Sequence, residues 1–355
     1  MKILFLYSEV AGYFLRCAER LHQLYGCEIH VVRWPVHPEA PFQFRTYEGV
    51  TFYERRELSD ADLYALYKRL NPSLVYTVGW LDPGYLRLSR QIRQDGIPVV
   101  CGIDTHWRGD LRQQIAVQVS PWRIKPCFSH MWTPGLYQYE YARRLGYARE
   151  HILPGLYCAD VAAFEAAGRA ALPAKTQQYP RQLLYVGRFV EVKGVRQLYE
   201  AFTSLTDTER NGWTLSLTGA GPLRSQLPET RSVQVRDFVQ PEDLPGLAQE
   251  AGAFILPSTF EPWGVVMHEF AAAGLPLLAS HACGAATAFI RAGYNGWTFS
   301  GTPESLRAAL VALFQTADHT LLRMGQRSQA LSHQITPESW AATLMQVLNP
   351  YISPA

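Results

Sequence analysis

Short apolar runs alternate with longer amphipathic stretches along this chain of 355 residues, and the series occurs twice. The first series predicts strands at residues 3–7, 29–32, 74–77 and 99–102 and near residue 152. Between them, apolar residues recur at helical spacing over residues 14–24, 60–70, 85–94 and 137–145. Buried strands separated by amphipathic helices are typical of a parallel sheet that helices cover on both faces.

The second series has the same form. It predicts strands at residues 183–186, 214–218, 232–236, 254–257 and 276–279, with helices that begin at Val195, Asp243, Gly264 and Pro303. Residues 168–181, GRAALPAKTQQYPR, are polar, contain proline and have no sustained period, so we interpret this segment as a linker. We therefore expect an α/β protein with two doubly wound Rossmann-like domains. The predicted parts are residues 1–166, a linker at 167–181, residues 182–336, and a terminal amphipathic helix at 337–355 that needs a partner surface.

Composition narrows the class of protein. Lys and Arg number 33 against 31 Asp and Glu, a net charge of +2, which argues against a nucleic-acid partner and requires any anion site to be local. The six cysteines are widely spaced with no C-x-x-C pair, which is not the pattern of a disulfide framework or a zinc site. No apolar stretch has membrane length. We expect a soluble cytoplasmic protein, and contact with the inner membrane surface stays open.

A first candidate cluster is LLYVGRFVEVKGV, residues 183–195, where a predicted strand ends at Gly187. Arg188 and Lys193 flank a glycine-bounded loop beyond that strand, a position where ligands bind in doubly wound sheets. A forked guanidinium and a compact ammonium suit the two phosphates of a diphosphate. An ordinary solvated surface loop is the alternative.

A second cluster is FILPSTFEPWGVVMHEFAAAGLPLLAS, residues 254–280. The predicted helix start leaves the N–H groups of Gly264, Val265 and Val266 without helical partners, and such donors favour an anion. Glu261 precedes that helix and Glu269 lies inside it, so the two carboxylates suit separate hydroxyl-rich groups, such as a sugar and a ribose. The alternative is a helix-capping Glu261 and a solvated Glu269.

These motifs together resemble a known family. VGRFVEVKG, the turn TGAGPL at residues 218–223, and the spacing of Glu261 and Glu269 are similar to those of the retaining glycosyltransferases of family four, the group 1 type. The resemblance implies the two-domain GT-B fold, in which two Rossmann-like domains face a cleft and the C-terminal helix returns to the N-terminal domain. It covers the chain in order, with LPGLYCADVAAF, residues 153–164, similar to the segment that crosses between domains.

The resemblance also implies roles for individual residues. Arg188 and Lys193 would hold the diphosphate, Glu261 would contact the transferred sugar, and Glu269 would bind the ribose hydroxyls. The residues that would lie near the nucleotide, sugar or phosphate are Gly187, Gly219, Gly221, Phe238, Val239, Gly264, Val265 and Val266.

The N-terminal half matches the family less closely. Where many relatives have a double-glycine loop after the first strand, SEVAGYF offers only Gly12. Glu9 either projects toward the acceptor or caps the next helix. His106, with Asp104 beside it, resembles the family histidine that reaches the donor sugar, and a structural histidine is the alternative. The arginine- and tryptophan-rich segment 104–132 is either an acceptor surface or a solvated face, and no residue role follows.

The mechanism expected from these residues needs no metal and no cofactor other than the donor, a nucleotide diphosphate-sugar of the UDP or GDP type. Negative charge that develops on the leaving diphosphate would be neutralised by Arg188, Lys193 and the helix start. The D-x-D string at Asp60–Asp62 opens a predicted helix, where capping explains it better than metal binding. The family implies retention of the anomeric configuration and a glycan, lipid-linked or small-molecule acceptor.

Three other readings compete with a transferase. A nicotinamide dehydrogenase shares the doubly wound architecture, but no G-x-G-x-x-G fingerprint follows a predicted strand. A nucleotide-sugar epimerase and a non-catalytic nucleotide-sugar-binding protein on the same fold remain open, because fold alone does not fix activity. The sequence leaves the oligomeric state open.

Overall fold

The computed structural model describes residues 1–8, 10–35 and 47–348, so Glu9 lies outside the described residues. The chain divides into two compact units. The N-terminal unit contains Met1–Cys158 and Pro337–Ala355, and the C-terminal unit contains Ala159–Thr336.

Within its described residues, the N-terminal unit forms a seven-stranded sheet of order β3-β2-β1-β4-β5-β6-β7, in which neighbouring strands are parallel. Its strands are β1 (Lys2–Leu6), β2 (Glu28–Arg33), β3 (Val50–Glu54), β4 (Leu74–Val78), β5 (Val99–Gly102), β6 (His130–Trp132) and β7 (Ile152–Leu153). Its first helices are α1 (Gly12–Tyr25), α2 (Asp60–Leu70), α3 (Pro83–Gln94), α4 (Leu111–Arg123) and α5 (Leu136–Arg144).

Within the described residues of the C-terminal unit, six parallel strands form a sheet of order β10-β9-β8-β11-β12-β13. The strands are β8 (Gln182–Val186), β9 (Thr214–Thr218), β10 (Val233–Arg236), β11 (Ala253–Leu256), β12 (Leu277–Ser280) and β13 (Gly296–Phe299). The helices are α6 (Val161–Gln177), α7 (Val195–Thr203), α8 (Asp207–Arg210), α9 (Leu244–Glu250), α10 (Val265–Ala272), α11 (Ala286–Phe289), α12 (Pro303–Phe314) and α13 (Asp318–Ser332).

Each sheet reverses its strand order once, between β1 and β4 in the first unit and between β8 and β11 in the second. Loops diverge at such a reversal and leave a crevice beyond the carboxyl ends of the strands, where ligands of doubly wound sheets bind. The order of the second sheet therefore points to the loops that follow β8 and β11.

The predicted fold class is confirmed, and each predicted strand is present close to its predicted bounds. The prediction missed strands β3, β6 and β13 and helices α4, α8, α11 and α13. Strands of three to five residues such as HMW and GWTF are too short for their periodicity to be distinguished from that of a loop.

The linker predicted at residues 167–181 is wrong, because α6 covers most of it. Alanine-rich sequence favours a helix, and the Asp160 side chain caps its start by accepting a hydrogen bond from the N–H of Ala163 at 3.3 Å. From the sequence alone, Gly168 favours a loop at this position. In the folded unit a Cβ at Gly168 would lie 2.3 Å from the carbonyl oxygen of Ala273, so glycine is needed for close packing of two segments.

Asp60 and Asp62 do serve the start of a helix, as predicted. Ser59 and Asp62 form a reciprocal capping box at the start of α2. Asp60 is paired with Arg55 at 3.1 Å and with Arg87. Both carboxylates therefore have protein partners at the surface of the N-terminal unit.

The last described helix, α14 (Pro337–Met345), packs against α1 in the N-terminal unit. Trp340 is buried, stacks against Trp132 with ring centroids 4.8 Å apart, and donates its indole N–H to the carbonyl oxygen of Leu156 at 2.9 Å. The terminal helix thus finds the partner surface that its amphipathic sequence requires.

All six cysteines are buried as thiols without disulfides, in agreement with their spacing. Among the described helices, none combines the length and the apolar character needed to cross a bilayer.

Candidate functional site

The loops after β8 and β11 meet at the strand reversal of the C-terminal sheet. The N–H of Thr259 donates to the carbonyl oxygen of Val192 at 2.9 Å, and the Thr259 hydroxyl donates to the same oxygen at 3.2 Å. These bonds hold the two candidate clusters together, although the sequence separates them. The crevice expected from the strand order is therefore lined by residues from both clusters.

Lys193 and Glu261 form an ion pair across this contact. The Lys193 side chain is 19% exposed and that of Glu261 is 9% exposed. The Ser258 hydroxyl donates to the same carboxylate oxygen at 3.3 Å. A shielded ion pair is stronger than one in open solvent, so each charge holds the other in a fixed position.

Two glycines make this approach possible. Gly194, at the end of the first loop, has φ of 70°, and an added Cβ would lie 2.2 Å from the carbonyl oxygen of Pro257. Gly264 precedes α10 with φ of 93°, and an added Cβ would lie 2.7 Å from a methyl carbon of Leu256. A side chain at either position would clash with the other loop or with the end of β11.

Substitution of Gly194 by alanine is therefore expected to destabilise the protein by about 1–3 kcal/mol, because strain in φ and the clash with Pro257 add together. The lowered midpoint of urea unfolding would measure this effect. Gly246→Ala in α9 is the matched control, since an added Cβ there meets no atom within 4 Å. Equal midpoints for the two variants would show that the loop contact is not rigid.

The start of α10 presents backbone donors beside the ion pair. No carbonyl or side chain of the described residues accepts the N–H of Val265 or Val266, whereas the N–H of Met267 donates to the carbonyl oxygen of Gly264 at 3.0 Å. Unpaired N–H groups at a helix start favour a bound anion. The predicted anion-binding character of Gly264, Val265 and Val266 is thus supported by their backbone geometry.

The turn after β9 closes one side of the first loop. The N–H of Phe189 donates to the carbonyl oxygen of Ala220 at 2.7 Å. A Cβ at Gly219 would lie 1.9 Å from the carbonyl oxygen of Gly187. Gly221 likewise leaves no room for a Cβ, which would lie 2.6 Å from the carbonyl oxygen of Phe189. The structure therefore brings Gly187, Gly219 and Gly221 together. All three are candidates for a position near the nucleotide, sugar or phosphate.

Arg188 follows Gly187 directly and is exposed at the end of β8. Its carbonyl oxygen accepts a hydrogen bond from the Tyr185 hydroxyl at 2.9 Å, which fixes the backbone at this position. Phe238 and Val239 follow β10, and β10 is separated from β8 by β9. The strand order therefore places them at the same edge of the sheet as the ion pair, with the end of β9 between.

Glu269 lies within α10, where surrounding protein shields its carboxyl group although part of the residue reaches solvent. Burial, and to a smaller extent the negative charge of Asp160, raises the pKa of Glu269 to about 7. No described residue donates a hydrogen bond to this carboxyl group. A shielded carboxyl group without a protein donor is a common feature of binding sites.

His106 and Asp104 lie after β5 in the N-terminal unit. His106 is buried and its ring meets Tyr137 edge to face, with centroids 4.9 Å apart. The buried Gln113 side chain donates to the carbonyl oxygen of His106 at 2.6 Å, and Asp104 accepts a hydrogen bond from the Tyr157 hydroxyl at 3.1 Å. These contacts give both residues a structural role, and a role toward the donor stays a prediction.

Gly12 is the first residue of α1 in the same unit, and it follows the carboxyl end of β1 at the strand reversal of this sheet. The structure thus positions Gly12 at the edge where a ligand of the N-terminal unit is expected.

Sequence reasoning missed Ser258 and His268. Ser258 is fully buried and contacts Glu261, and the polar pair that it forms with Thr259 at the end of an apolar strand was a usable signal. His268 is fully buried next to Glu269, accepts the N–H of Ala159 at Nδ1 (3.2 Å) and donates from Nε2 to the carbonyl oxygen of Ser332 (2.9 Å). No pattern in the sequence indicates these backbone partners, which are far from His268 along the chain.

Comparison with known proteins gives matches in the same region. Residues 180–316 match the family model described as Glycosyl transferases group 1. The chain is 30% identical over 138 residues to an uncharacterized glycosyltransferase of Methanocaldococcus jannaschii, a match that covers 37% of this chain and 35% of that protein. It is 32% identical over 183 residues to the glycogen synthase of Mycobacterium tuberculosis, covering 49% of this chain and 43% of that protein. The match therefore spans less than half the length of either relative.

The whole chain is similar to solved structures. The crystal structure of HepE from Anabaena in complex with UDP and glucose has a TM-score of 0.73 to this chain, covers 98% of this chain and 99% of its own, and is 15% identical. A likeness at this identity shows the fold, which is that of two Rossmann-like α/β domains in one chain.

Proposed function

We propose that this chain is a glycosyltransferase, because residues 180–316 match the family model described as Glycosyl transferases group 1. It takes a sugar, of hexose type, from a nucleotide diphosphate-sugar of the UDP or GDP type. It transfers that sugar to a hydroxyl group of a glycan, lipid-linked or small-molecule acceptor. The relative whose crystal structure contains UDP and glucose supports a UDP-sugar as the first donor to test.

The Lys193–Glu261 pair is the observation that carries this proposal. In a nucleotide diphosphate-sugar, the sugar is bonded directly to the distal phosphate, so a site must offer a cation and a hydroxyl acceptor side by side. Lys193 and Glu261 contact each other in this way at the start of α10. Glu269, farther along the helix, is available for the ribose at the other end of the donor.

In the proposed reaction, the bond between C1 of the sugar and the phosphate oxygen breaks, and its electron pair stays on the diphosphate. Arg188, Lys193 and the N–H groups of Val265 and Val266 stabilise that developing charge, so no metal ion is required. The acceptor oxygen bonds to C1 from the face that the phosphate leaves, and the acceptor proton passes to the phosphate oxygen. We propose retention of configuration on the family resemblance.

A binding experiment on the wild type and Glu269→Gln tests the proposal. UDP-, GDP- and ADP-sugars are compared by thermal shift in the presence of a chelator. We expect one donor class to stabilise the wild type, by about 2.7 kcal/mol at a hundred times its Kd. The same donor should stabilise Glu269→Gln less, because the amide replaces one of the two acceptor oxygens by an NH2 donor and removes the negative charge.

Glu304→Gln, at the exposed start of α12, is the matched control and should behave as the wild type. Turnover with an acceptor panel, followed by NMR of the product's anomeric proton, then separates the alternatives. Binding without turnover would indicate a non-catalytic sugar-binding protein, and conversion of the donor without acceptor would indicate an epimerase. No shift with any nucleotide-sugar would contradict the proposal.

A further inference from the structure

A basic pocket lies at the amino-terminal edge of the N-terminal sheet, where β5, β6 and β7 begin. It has a volume of about 670 Å³, and its basic side chains are Arg93, Lys125, His130 and His151. His106 lies at the opposite, carboxyl edge of the same sheet, after β5. The pocket is therefore separate from the edge at which the N-terminal unit is expected to meet substrate.

The four basic groups come from four different segments. Arg93 lies in α3, Lys125 follows α4, His130 begins β6, and His151 lies in the turn before β7. None of the described residues that line the pocket is Asp or Glu. Convergence of basic side chains without acidic ones gives the pocket a positive potential that attracts anions.

The two permanent cations have only neutral partners among the described residues. Arg93 donates to the carbonyl oxygen of Ile97 at 3.2 Å, and Lys125 donates to the carbonyl oxygen of Gly146 at 3.1 Å. Carbonyl oxygens position these side chains but leave their charges without a counter-ion. An anion in the pocket would therefore gain two charge-assisted contacts without breaking an ion pair.

The histidine pair adds groups that become donors when protonated. The rings of His130 and His151 lie 5.1 Å apart at 81°. Nδ1 of His130 lies 3.0 Å from the Ser129 hydroxyl, and that hydroxyl donates to the carbonyl oxygen of Val99 at 2.9 Å. Because the Ser129 hydroxyl donates its hydrogen to Val99, it can only accept a hydrogen bond from His130. Nδ1 of His130 therefore carries the hydrogen of the neutral ring, and Nε2 is the atom that gains a proton.

We propose that this basic pocket binds a phosphate group, either inorganic phosphate or the phosphate of a small molecule or lipid headgroup, through Arg93, Lys125 and the His130–His151 pair. The site is independent of the proposed donor site, which lies in the other unit. Its volume admits a ligand of the size of a sugar phosphate.

Binding of an anion in the pocket is expected to be accompanied by proton uptake at His130. Burial first, and then the charges of His151 and Arg93, lowers the pKa of His130 to about 4. A bound dianion reverses the effect of those charges and raises this pKa. The groups that face His130 are Arg93 and His151, and the pocket also contains Lys125 and Tyr147. Affinity for sulfate, which stays a dianion over this pH range, should therefore rise as pH falls, by up to about tenfold per pH unit.

NMR of the full chain labelled at the histidine rings tests the site directly. The His130 signal, assigned with His130→Gln, should shift and saturate when inorganic phosphate is added, and the exposed His281 should not shift. Lys125→Gln should weaken the response by about tenfold, since one charge-assisted contact is lost at an exposed position. Glucose 6-phosphate and vesicles that contain phosphatidic acid then distinguish a soluble ligand from a lipid headgroup.

The response should be unchanged in Lys193→Ala, because that variant alters only the C-terminal unit. An unmoved His130 signal with all three probes would overturn the proposal. An identical response in Lys125→Gln and the wild type would overturn it as well.

Discussion

Replacement of Lys193 by alanine is expected to lower turnover by about 10²- to 10³-fold at saturating donor, equivalent to roughly 2.7–4 kcal/mol in the barrier. The reason is that Lys193 is held in place by Glu261 before any donor binds, and the Ser258 hydroxyl in turn donates to that carboxylate. A cation that is already positioned stabilises the leaving diphosphate without the cost of reorganisation. Steady-state measurement of kcat with the donor identified by thermal shift would check this result.

A second variant separates the effect of Lys193 on turnover from its effect on folding stability. Lys193→Ala leaves the shielded Glu261 without its counter-ion, which we expect to cost about 1–3 kcal/mol of folding stability. Adding Glu261→Gln removes the unpaired charge, so the double variant should regain stability while its turnover stays low. Arg196→Ala, which removes an exposed cation paired with Glu191, is the control and should keep wild-type turnover. Recovery of turnover in the double variant would show that Lys193 acts only by holding Glu261.

A pH-dependent contribution of His268 to stability is the second large effect that we expect. Burial lowers the pKa of His268 to about 4, with His333 as a smaller cause in the same direction. At His268, therefore, the unfolded state binds more protons than the folded state below about pH 6.5. The stability due to neutral His268 is complete above that pH and is lost as pH falls from 6.5 toward 4, by roughly 3 kcal/mol.

Urea unfolding of the wild type and His268→Gln across this pH range measures the effect. The variant should be less stable at neutral pH, because it loses one backbone partner and the stacking of the ring on Phe289 at 4.3 Å. The difference between the two proteins should then shrink by roughly 3 kcal/mol between pH 6.5 and 4. Taking the difference between the two proteins cancels the effect of other titrating groups on stability. Glu269 is one of them, and its raised pKa makes stability increase as pH falls, opposite to the effect of His268.

His281→Gln serves as the control, since His281 is exposed and its ring has a hydrogen bond only with the Thr298 hydroxyl among the described residues. It should follow the pH profile of the wild type. If the difference in stability between His268→Gln and the wild type did not change with pH, the inference that burial keeps His268 neutral would be wrong.

Much of the candidate site could be predicted because it obeys a rule that links sequence to position. In a parallel sheet, the residues that follow each strand gather at one edge, so a cluster after β8 and a cluster after β11 were expected to meet. The contact between Lys193 and Glu261 agrees with that expectation. The unpaired N–H groups of Val265 and Val266 also follow from local chemistry, because a helix start always leaves such donors.

Other features depend on packing that a local pattern does not contain. Gly168 stands inside α6 because the backbone of Ala273 approaches it, and the same residue in a loop would look identical in the sequence. No local pattern marks Arg93, and Lys125 and His130 lie in a segment to which the sequence assigns no residue role. Their convergence in one pocket requires that α3 and α4 end, and β6 begins, at the same edge of the sheet.

The sequence by itself determined the alternation of strands and helices, the two doubly wound units and the two clusters that form the candidate site. These properties depend on periodicity and on motifs within a few residues of each other. Only the tertiary structure decided that Lys193 is already paired with Glu261, that His268 is neutral between Ala159 and Ser332, and that four basic groups share a pocket. Each of these depends on distances and burial between segments far apart in the chain, and spacing along a sequence does not encode such distances.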